Sequence, residues 1–141
     1  MKATTIDLPA STADLAIAAA VGRVMIAAIF LLSGFGKLTD PAGTIGYISS
    51  AGLPLPELAY ATALAVELLG GVLLVIGYRT RIAAWALAGF TVTAAFGFHL
   101  QFADQNQFLH FFKNMAMAGG LLQVAAFGAG AVSVDGRSAR R

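Results

Sequence analysis

The sequence predicts an all-α protein, an antiparallel four-helix bundle that is integral to a membrane. Of the 141 residues, 58% are hydrophobic and 11% are charged, and the mean hydropathy is +0.79. Soluble domains carry roughly 25% charged residues. The chain contains four apolar stretches, each long enough to cross the ~30 Å hydrocarbon layer of a bilayer as a helix. They are residues 15–36, 58–78, 82–100 and a fourth that begins between Phe108 and Asn114 and ends near Val132.

These stretches define the predicted domain organisation. We expect a membrane domain over residues 15–132, with a cytoplasmic tail over residues 1–14 and a basic cytoplasmic tail over residues 133–141. The first stretch should be retained rather than cleaved as a signal peptide, because Arg23 interrupts its apolar core. Basic residues concentrate in both tails and in the turn between the second and third spans, so the positive-inside rule predicts cytoplasmic termini.

A short helix is predicted between spans one and two. Asp40 followed by Pro41 is typical of an N-cap with proline at the first helical position, and Gly52 supplies a stop. Between them, Ala42, Ile45 and Ile48 recur at helical spacing. This pattern predicts a helix that lies in the membrane interface.

Two ionisable residues, Arg23 and Glu67, interrupt the first and second apolar stretches. If these spans run antiparallel, the rise per residue places the two side chains within ~5 Å of the same depth. An isolated charge at that depth costs several kcal/mol, and a facing pair offsets much of this cost. The sequence therefore predicts an intramembrane ion pair between Arg23 and Glu67. Its role is either purely architectural or, through Glu67, part of a proton or ion path.

Polar and aromatic residues gather at the outer ends of spans three and four. Lys37, His99, Lys113 and Asn114 are the candidate ligand-binding residues, because cationic and amide groups among aromatic rings could bind a flat, polar-headed molecule such as a quinone. The rings concerned are Phe96, Phe98, Phe102, Phe108, Phe111 and Phe112. Two other interpretations stay open. The rings could form an aromatic belt at the outer membrane interface, and Asn114 could form a hydrogen bond between helices.

Several kinds of chemistry find no support in the sequence. The chain has no cysteine, so any thiol chemistry must belong to a partner. There is no metal-ligand spacing of His, Asp and Glu, no phosphate-binding loop and no hydrolase triad, so catalytic residues are unknown. The net charge is +2, and the basic residues are distributed among the loops and tails rather than clustered in one patch. We therefore expect no nucleic-acid partner.

Polar, glycine and aromatic residues follow one another along the spans in a characteristic order: Arg23, Phe30, Ser33, Gly34, Lys37, Glu67, Gly70, Gly71, Gly77, Arg81, Lys113, Asn114 and Gly119. Over about residues 15–132 this order resembles the DoxX family of bacterial four-span inner-membrane proteins. The resemblance implies a multi-pass protein of the bacterial inner membrane. It also implies association with oxidoreductase complexes, since founding members look like small membrane subunits of a thiosulfate:quinone oxidoreductase and other relatives are linked to oxidative or thiol stress.

Three functional hypotheses follow. The first is a redox module, at most a non-autonomous oxidoreductase subunit, whose outer-leaflet pocket binds a quinone or small anion for a partner enzyme, with no covalently bound cofactor. The second is a small proton-coupled transporter that uses Glu67. The third is a membrane assembly or chaperone protein without catalysis. All three predict contact with the lipid bilayer, and the first and third predict a protein partner or a homo-oligomer.

Overall fold

The structure is a computed structural model that describes residues 11–138, and over that range it contains six α helices and no strands. The helices are α1 (Thr12–Thr39), α2 (Pro41–Ser50), α3 (Pro56–Ile76), α4 (Thr80–Phe98), α5 (Gln105–Phe127) and α6 (Val134–Ser138). The all-α prediction is confirmed. By length and composition α1, α3 and α4 could each cross a membrane, whereas the 23-residue α5 carries polar residues in its first half. The four-span arrangement therefore stays a prediction.

Capping residues set where the first two helices begin. The side chain of Ser11 accepts a hydrogen bond from the Asp14 amide, and Asp14 reciprocates, which is a capping box. Helix α1 thus starts at Thr12, inside the predicted tail, whose residues 1–10 lie outside the described range. Asp40 caps α2, with Pro41 at its first position, so the short helix predicted there is confirmed as a helix. Its place in the membrane interface stays a prediction.

The long helices pack as two antiparallel pairs, α1 with α3 and α4 with α5, and α3 joins the pairs along α4. Glycines set the closest approaches. A Cβ at Gly34 would lie 2.7 Å from Leu68, and a Cβ at Gly70 would lie 2.8 Å from Leu87. Helix α1 contacts α5 much less, partly where Gly120 meets Ile26. The two helix pairs therefore pack against each other mainly through α3 and α4, whereas α1 and α5 have few contacts.

The middle of the bundle is a solid apolar layer. Leu74, Leu87 and Leu121, from α3, α4 and α5, are fully buried and pack with Ala27 and Ala84. Burying a leucine side chain contributes about 1.5–3 kcal/mol in water, whereas in lipid the gain comes from close packing between helices. This layer separates the two ends of the bundle, at which the buried charges lie.

The predicted ion pair between Arg23 and Glu67 is wrong. Arg23 is buried, but its guanidinium donates to three backbone carbonyls: Ala129 at 2.5 Å, Val132 at 3.0 Å and Val75 at 3.4 Å. These acceptors come from the end of α3 and from the segment after α5. Glu67 lies elsewhere and pairs with a different cation.

The reason is the register of α1 against α3. Gly34 packs against Glu67, and Arg23 reaches Gly77, ten residues further along α3, or ~15 Å at 1.5 Å per residue. The prediction aligned the ends of the two apolar stretches as if both met the same membrane face. Helix α1 instead extends well beyond the end of α3, so Arg23 lies at the α3–α4 turn.

The segment after α5 closes this end of the molecule. Asp135 accepts hydrogen bonds from the backbone amides of Arg79 (3.0 Å) and Thr80 (2.9 Å), and thereby caps the start of α4. Its own amide donates to the Gly77 carbonyl at 2.9 Å. Burial opposes ionisation of Asp135, but the two amide bonds and the nearby Arg23 charge prevail and lower its pKa below the ordinary value. Over residues 133–138 the predicted tail is therefore a docked segment.

Candidate functional site

The cavity at the opposite end of the bundle is the candidate site. It has a volume of about 1280 Å³, a mostly apolar lining, and walls formed by α1 to α5 and the loop before α3. The four residues predicted as ligand contacts, Lys37, His99, Lys113 and Asn114, all line it. The structure thus brings together side chains that come from helices far apart in the sequence. Their role in binding stays a prediction.

Glu67 and Lys37 form the polar centre of this cavity. Lys37 Nζ donates to Glu67 Oε1 at 3.0 Å and to Ser33 Oγ at 2.8 Å, and it lies 2.9 Å from Glu67 Oε2. Ser33 Oγ in turn donates to Glu67 Oε1 at 3.1 Å. The side chain of Glu67 is 5% exposed and that of Lys37 is 21% exposed. A carboxylate so deeply buried needs a cation and hydrogen-bond donors. Lys37 supplies the cation, and Lys37 and Ser33 supply the donors.

The spacing along α1 explains this network. Ser33 and Lys37 are four residues apart, so they lie on one face of the helix and both point to α3. The close approach at Gly34 brings Glu67 opposite them. Glu67 was predicted to pair with Arg23 of α1, whereas its partner is Lys37 of the same helix.

His99 lies on the opposite wall, where α4 ends and α5 begins. Its Nδ1 is 2.7 Å from Gln107 Oε1, and its ring stacks with that of His110 at a centroid distance of 5.2 Å. His110 also lines the cavity. Lys113 is exposed and has no carboxylate partner within residues 11–138, and Asn114, one position further on, is half-buried. This wall therefore offers imidazole, ammonium and amide groups, and one ammonium is free of an ion pair in that range.

The phenylalanines divide between the two interpretations that the sequence left open. Phe98 lines the cavity and stacks on Tyr47 of α2 at a centroid distance of 5.3 Å. The other five rings pack against one another along α4, α5 and the loop between them, away from the cavity lining; they are Phe96, Phe102, Phe108, Phe111 and Phe112. Phe30 and Phe90, which the sequence analysis did not select for this role, supply further rings to the cavity.

The end of the cavity nearest the apolar layer, called the cavity floor below, consists of Ser33, Glu67 and Thr91. The contact of Gly70 with Leu87 aligns α3 and α4 so that Glu67 and Thr91 lie at about the same level. Thr91 is 2% exposed, and its Oγ1 has no hydrogen-bond partner within the described residues. Sequence reasoning missed Thr91. The sequence did contain a signal for its burial: Thr91 lies four residues after Leu87 and four before Ala95, on the buried face of α4.

Metal ligands are not grouped in this region. Within residues 11–138 there is no cluster of three or more His, Cys, Asp or Glu side chains that could hold an ion. The cavity has an apolar slot between one polar cluster at the cavity floor and another on the wall formed by α4 and α5.

Comparison with known proteins identifies the relatives of the chain. The DoxX family model matches residues 18–100. "Inner membrane protein YqjF" of Escherichia coli (strain K12) is 37% identical over 115 residues, which cover 82% of this chain and 87% of that protein. "Inner membrane protein YphA" of the same organism is 34% identical over 122 residues, 83% of this chain and 87% of that protein.

A third relative carries a redox name. "Putative oxidoreductase CatD" of Bacillus subtilis (strain 168) is 45% identical over 60 residues, 43% of each chain. No solved structure matches the chain. The family resemblance found in the sequence is confirmed by the family model and by the two inner-membrane relatives.

Proposed function

We propose that this chain, which belongs to the DoxX family, is the membrane module of a redox complex and binds a quinone-type ligand in its cavity. The observation that carries the proposal is the convergence of Lys37, Glu67, His99, Lys113 and Asn114 on one apolar cavity of about 1280 Å³. A quinone is a flat apolar ring with oxygens at opposite edges. The cavity offers apolar walls and polar groups on facing sides, which is the pattern of a ligand site for such a molecule.

The packing of the helices supports access from the bilayer. Helices α1 and α5 contact each other little, and the cavity is lined by Ile29 and Ser33 of α1 and by Met117 of α5. The ligand would therefore pass between these two helices without first crossing an aqueous phase. A lipid-soluble molecule is the kind of ligand that such a route serves.

We place the cavity in the outer leaflet of a four-span inner-membrane protein, with α2 in the membrane interface and both termini in the cytoplasm. Three arginines lie at the end of the bundle away from the cavity: Arg79 in the α3–α4 turn, Arg81 at the start of α4 and Arg137 after α5. The positive-inside rule assigns that end to the cytoplasm. Reporter fusions at the C-terminus and in the loop around residue 53 test this orientation.

The redox part of the proposal rests on two supports. A relative that matches 43% of the chain carries the word oxidoreductase in its name. The cavity lining also includes a carboxylate, ammonium groups and imidazoles, which are groups able to exchange protons with a quinone. Because the chain has no cysteine, electrons from a thiol or sulfur compound would come through a partner protein.

Ligand binding is tested with the purified protein in detergent micelles. A decyl-tailed benzoquinone should bind the wild type, and Lys113→Ala and His99→Ala should each weaken binding about fivefold or more, as expected for loss of one polar contact. Asn106→Ala, at the start of α5 and outside the cavity lining, is the matched control. Equal binding by both cavity variants and the control would contradict the proposed site.

The transport hypothesis has less support. The cavity floor is followed by the fully buried layer of Leu74, Leu87 and Leu121, which fills the path from Glu67 towards the other end of the bundle. A site that is closed on one side suits binding better than passage. A pH-dependent flux into liposomes that Glu67→Gln abolishes would favour the transporter instead.

A further inference from the structure

The hydroxyl of Thr91 is the least explained polar group in the cavity. Helical threonines commonly donate to the carbonyl four residues before them, and Thr93 does so, to Gly89 at 2.9 Å. Thr91, two residues earlier and 2% exposed, makes no such bond within residues 11–138. Because a buried hydroxyl without a partner is destabilising, its partner is expected to be a molecule that occupies the cavity.

The carboxylate of Glu67, which lies at about the same level as Thr91, can accept a further hydrogen bond. Its Oε1 accepts hydrogen bonds from Ser33 and Lys37. Its Oε2 lies 2.9 Å from Lys37 Nζ but accepts no well-directed hydrogen bond from the described residues. The cavity floor thus offers one carboxylate oxygen that can accept and one threonine hydroxyl that can both donate and accept.

We infer, on the basis of the proposed function, that the cavity floor recognises a phenolic hydroxyl, so that the site takes the reduced quinol in preference to the oxidised quinone. A quinol hydroxyl can donate to Glu67 Oε2 and accept from Thr91 Oγ1, which satisfies both groups at once. A quinone carbonyl only accepts. Its oxygen would lie beside the carboxylate oxygen with no proton between them.

Ethers are expected to be poor ligands for the same reason. A dimethyl ether of the quinol keeps the ring, the tail and the oxygen positions but has no proton to donate. We expect Lys37 to leave this preference unchanged, because two of its three N–H groups already donate to Ser33 and Glu67 Oε1 and its nitrogen lies 2.9 Å from Glu67 Oε2. The discriminating feature is therefore the donor on the ligand rather than the shape of the ring.

The test compares three probes on the purified protein in detergent under argon: a decyl-tailed hydroquinone, the matching benzoquinone and the hydroquinone dimethyl ether. Partition into protein-free micelles is measured for each probe and subtracted. We expect the wild type to bind the hydroquinone about tenfold or more tightly than either other probe, since a hydrogen bond to a charged group is involved. Glu67→Gln should reduce this preference, because a neutral amide oxygen is a weaker acceptor.

Thr91→Val isolates the hydroxyl with little change in volume, and it should weaken hydroquinone binding about fivefold. Thr91→Ser keeps the hydroxyl and should retain the preference. Thr93→Val removes a hydroxyl that is already bonded to Gly89, and it should retain the preference as well.

Equal affinity of the wild type for hydroquinone and benzoquinone would overturn this inference and leave the proposed quinone site standing. The inference would also fall if Thr91→Val and Thr93→Val behaved alike. If the wild type bound none of the three probes, the proposed function itself would be contradicted.

Discussion

Each end of the bundle holds one cation between its helices, buried Arg23 at one end and half-buried Lys37 at the other, and the two cations have opposite kinds of partner. At the end formed by the α3–α4 turn, Arg23 donates to three backbone carbonyls, and the segment that carries Ser133 and Asp135 covers it. At the other end, Lys37 pairs with Glu67 on the wall of a large cavity. A charge whose hydrogen bonds go to the backbone of packed segments serves the architecture. A charge pair beside a cavity is, in the proposed function, part of a ligand site. Four variants or sets of variants test this difference.

The largest effect is expected at Arg23. Arg23→Met removes the donors of three carbonyls in a buried region and should lower the free energy of unfolding by about 3–5 kcal/mol. Arg81→Met is the matched control, since Arg81 is exposed and lies at the same end. Unfolding in detergent, followed by circular dichroism, measures both variants. Equal stability of the two would show that Arg23 does not anchor this end.

The turn beside Arg23 gives the second test. Gly77 has a φ of 68°, and a Cβ there would overlap Ser133 and lie 2.7 Å from Arg23 Nη1. Gly77→Ala should therefore cost about 3 kcal/mol, from left-handed strain and steric overlap together. Gly52→Ala, with a φ of 76° but open space around the new Cβ, should cost only about 1 kcal/mol. The difference between the two melting curves isolates the overlap, and no difference would mean that the segment after α5 does not pack on the turn.

The pair at the cavity end should behave as a coupled unit. Lys37→Met leaves a buried carboxylate without its cation and Glu67→Gln leaves the cation without its carboxylate, so each should cost about 2–3 kcal/mol. The double variant should cost less than the sum by about 1–2 kcal/mol. A double-mutant cycle on the free energy of unfolding measures this coupling. Additive effects would mean that the two side chains do not pair.

The smallest effect concerns Asp135 and pH. Its pKa is lower in the folded protein than in the unfolded chain, so its stabilisation is complete above the unfolded pKa and is lost as pH falls through the folded pKa. Asp135→Ala should cost about 1 kcal/mol at pH 7, as for other N-caps, and the difference from the wild type should shrink in acid. Melting temperatures between pH 7 and pH 3 follow this change. A difference independent of pH would exclude the carboxylate as the cap.

The sequence predicted the kind of fold and the composition of the site better than it predicted which residues pair. Hydropathy located the long helices, and Asp40 followed by Pro41 marked the start of α2. Lys37, His99, Lys113 and Asn114 were expected to converge at one end, and all four line the cavity.

Apolar runs do not fix the level at which two helices meet, and this explains the incorrect Arg23 pairing. That level depends on the approach of Gly34 to Glu67 and Leu68, a contact between α1 and α3 that no local pattern encodes. Thr91 was missed for a related reason. A threonine in a helix usually satisfies itself with the backbone, so only the three-dimensional structure shows that this one does not.

Photolabelling tests most directly whether the cavity end is the ligand site. A tailed azidobenzoquinone is irradiated with the protein in native membranes, and the labelled peptides are mapped by mass spectrometry with and without excess unlabelled quinone. We predict labelling of cavity residues on the wall formed by α4 and α5, such as His99 at the end of α4 and Met117 of α5, and suppression of this labelling by the competitor. Labelling confined to exposed side chains outside the cavity, such as Trp85, with no effect of the competitor, would contradict it.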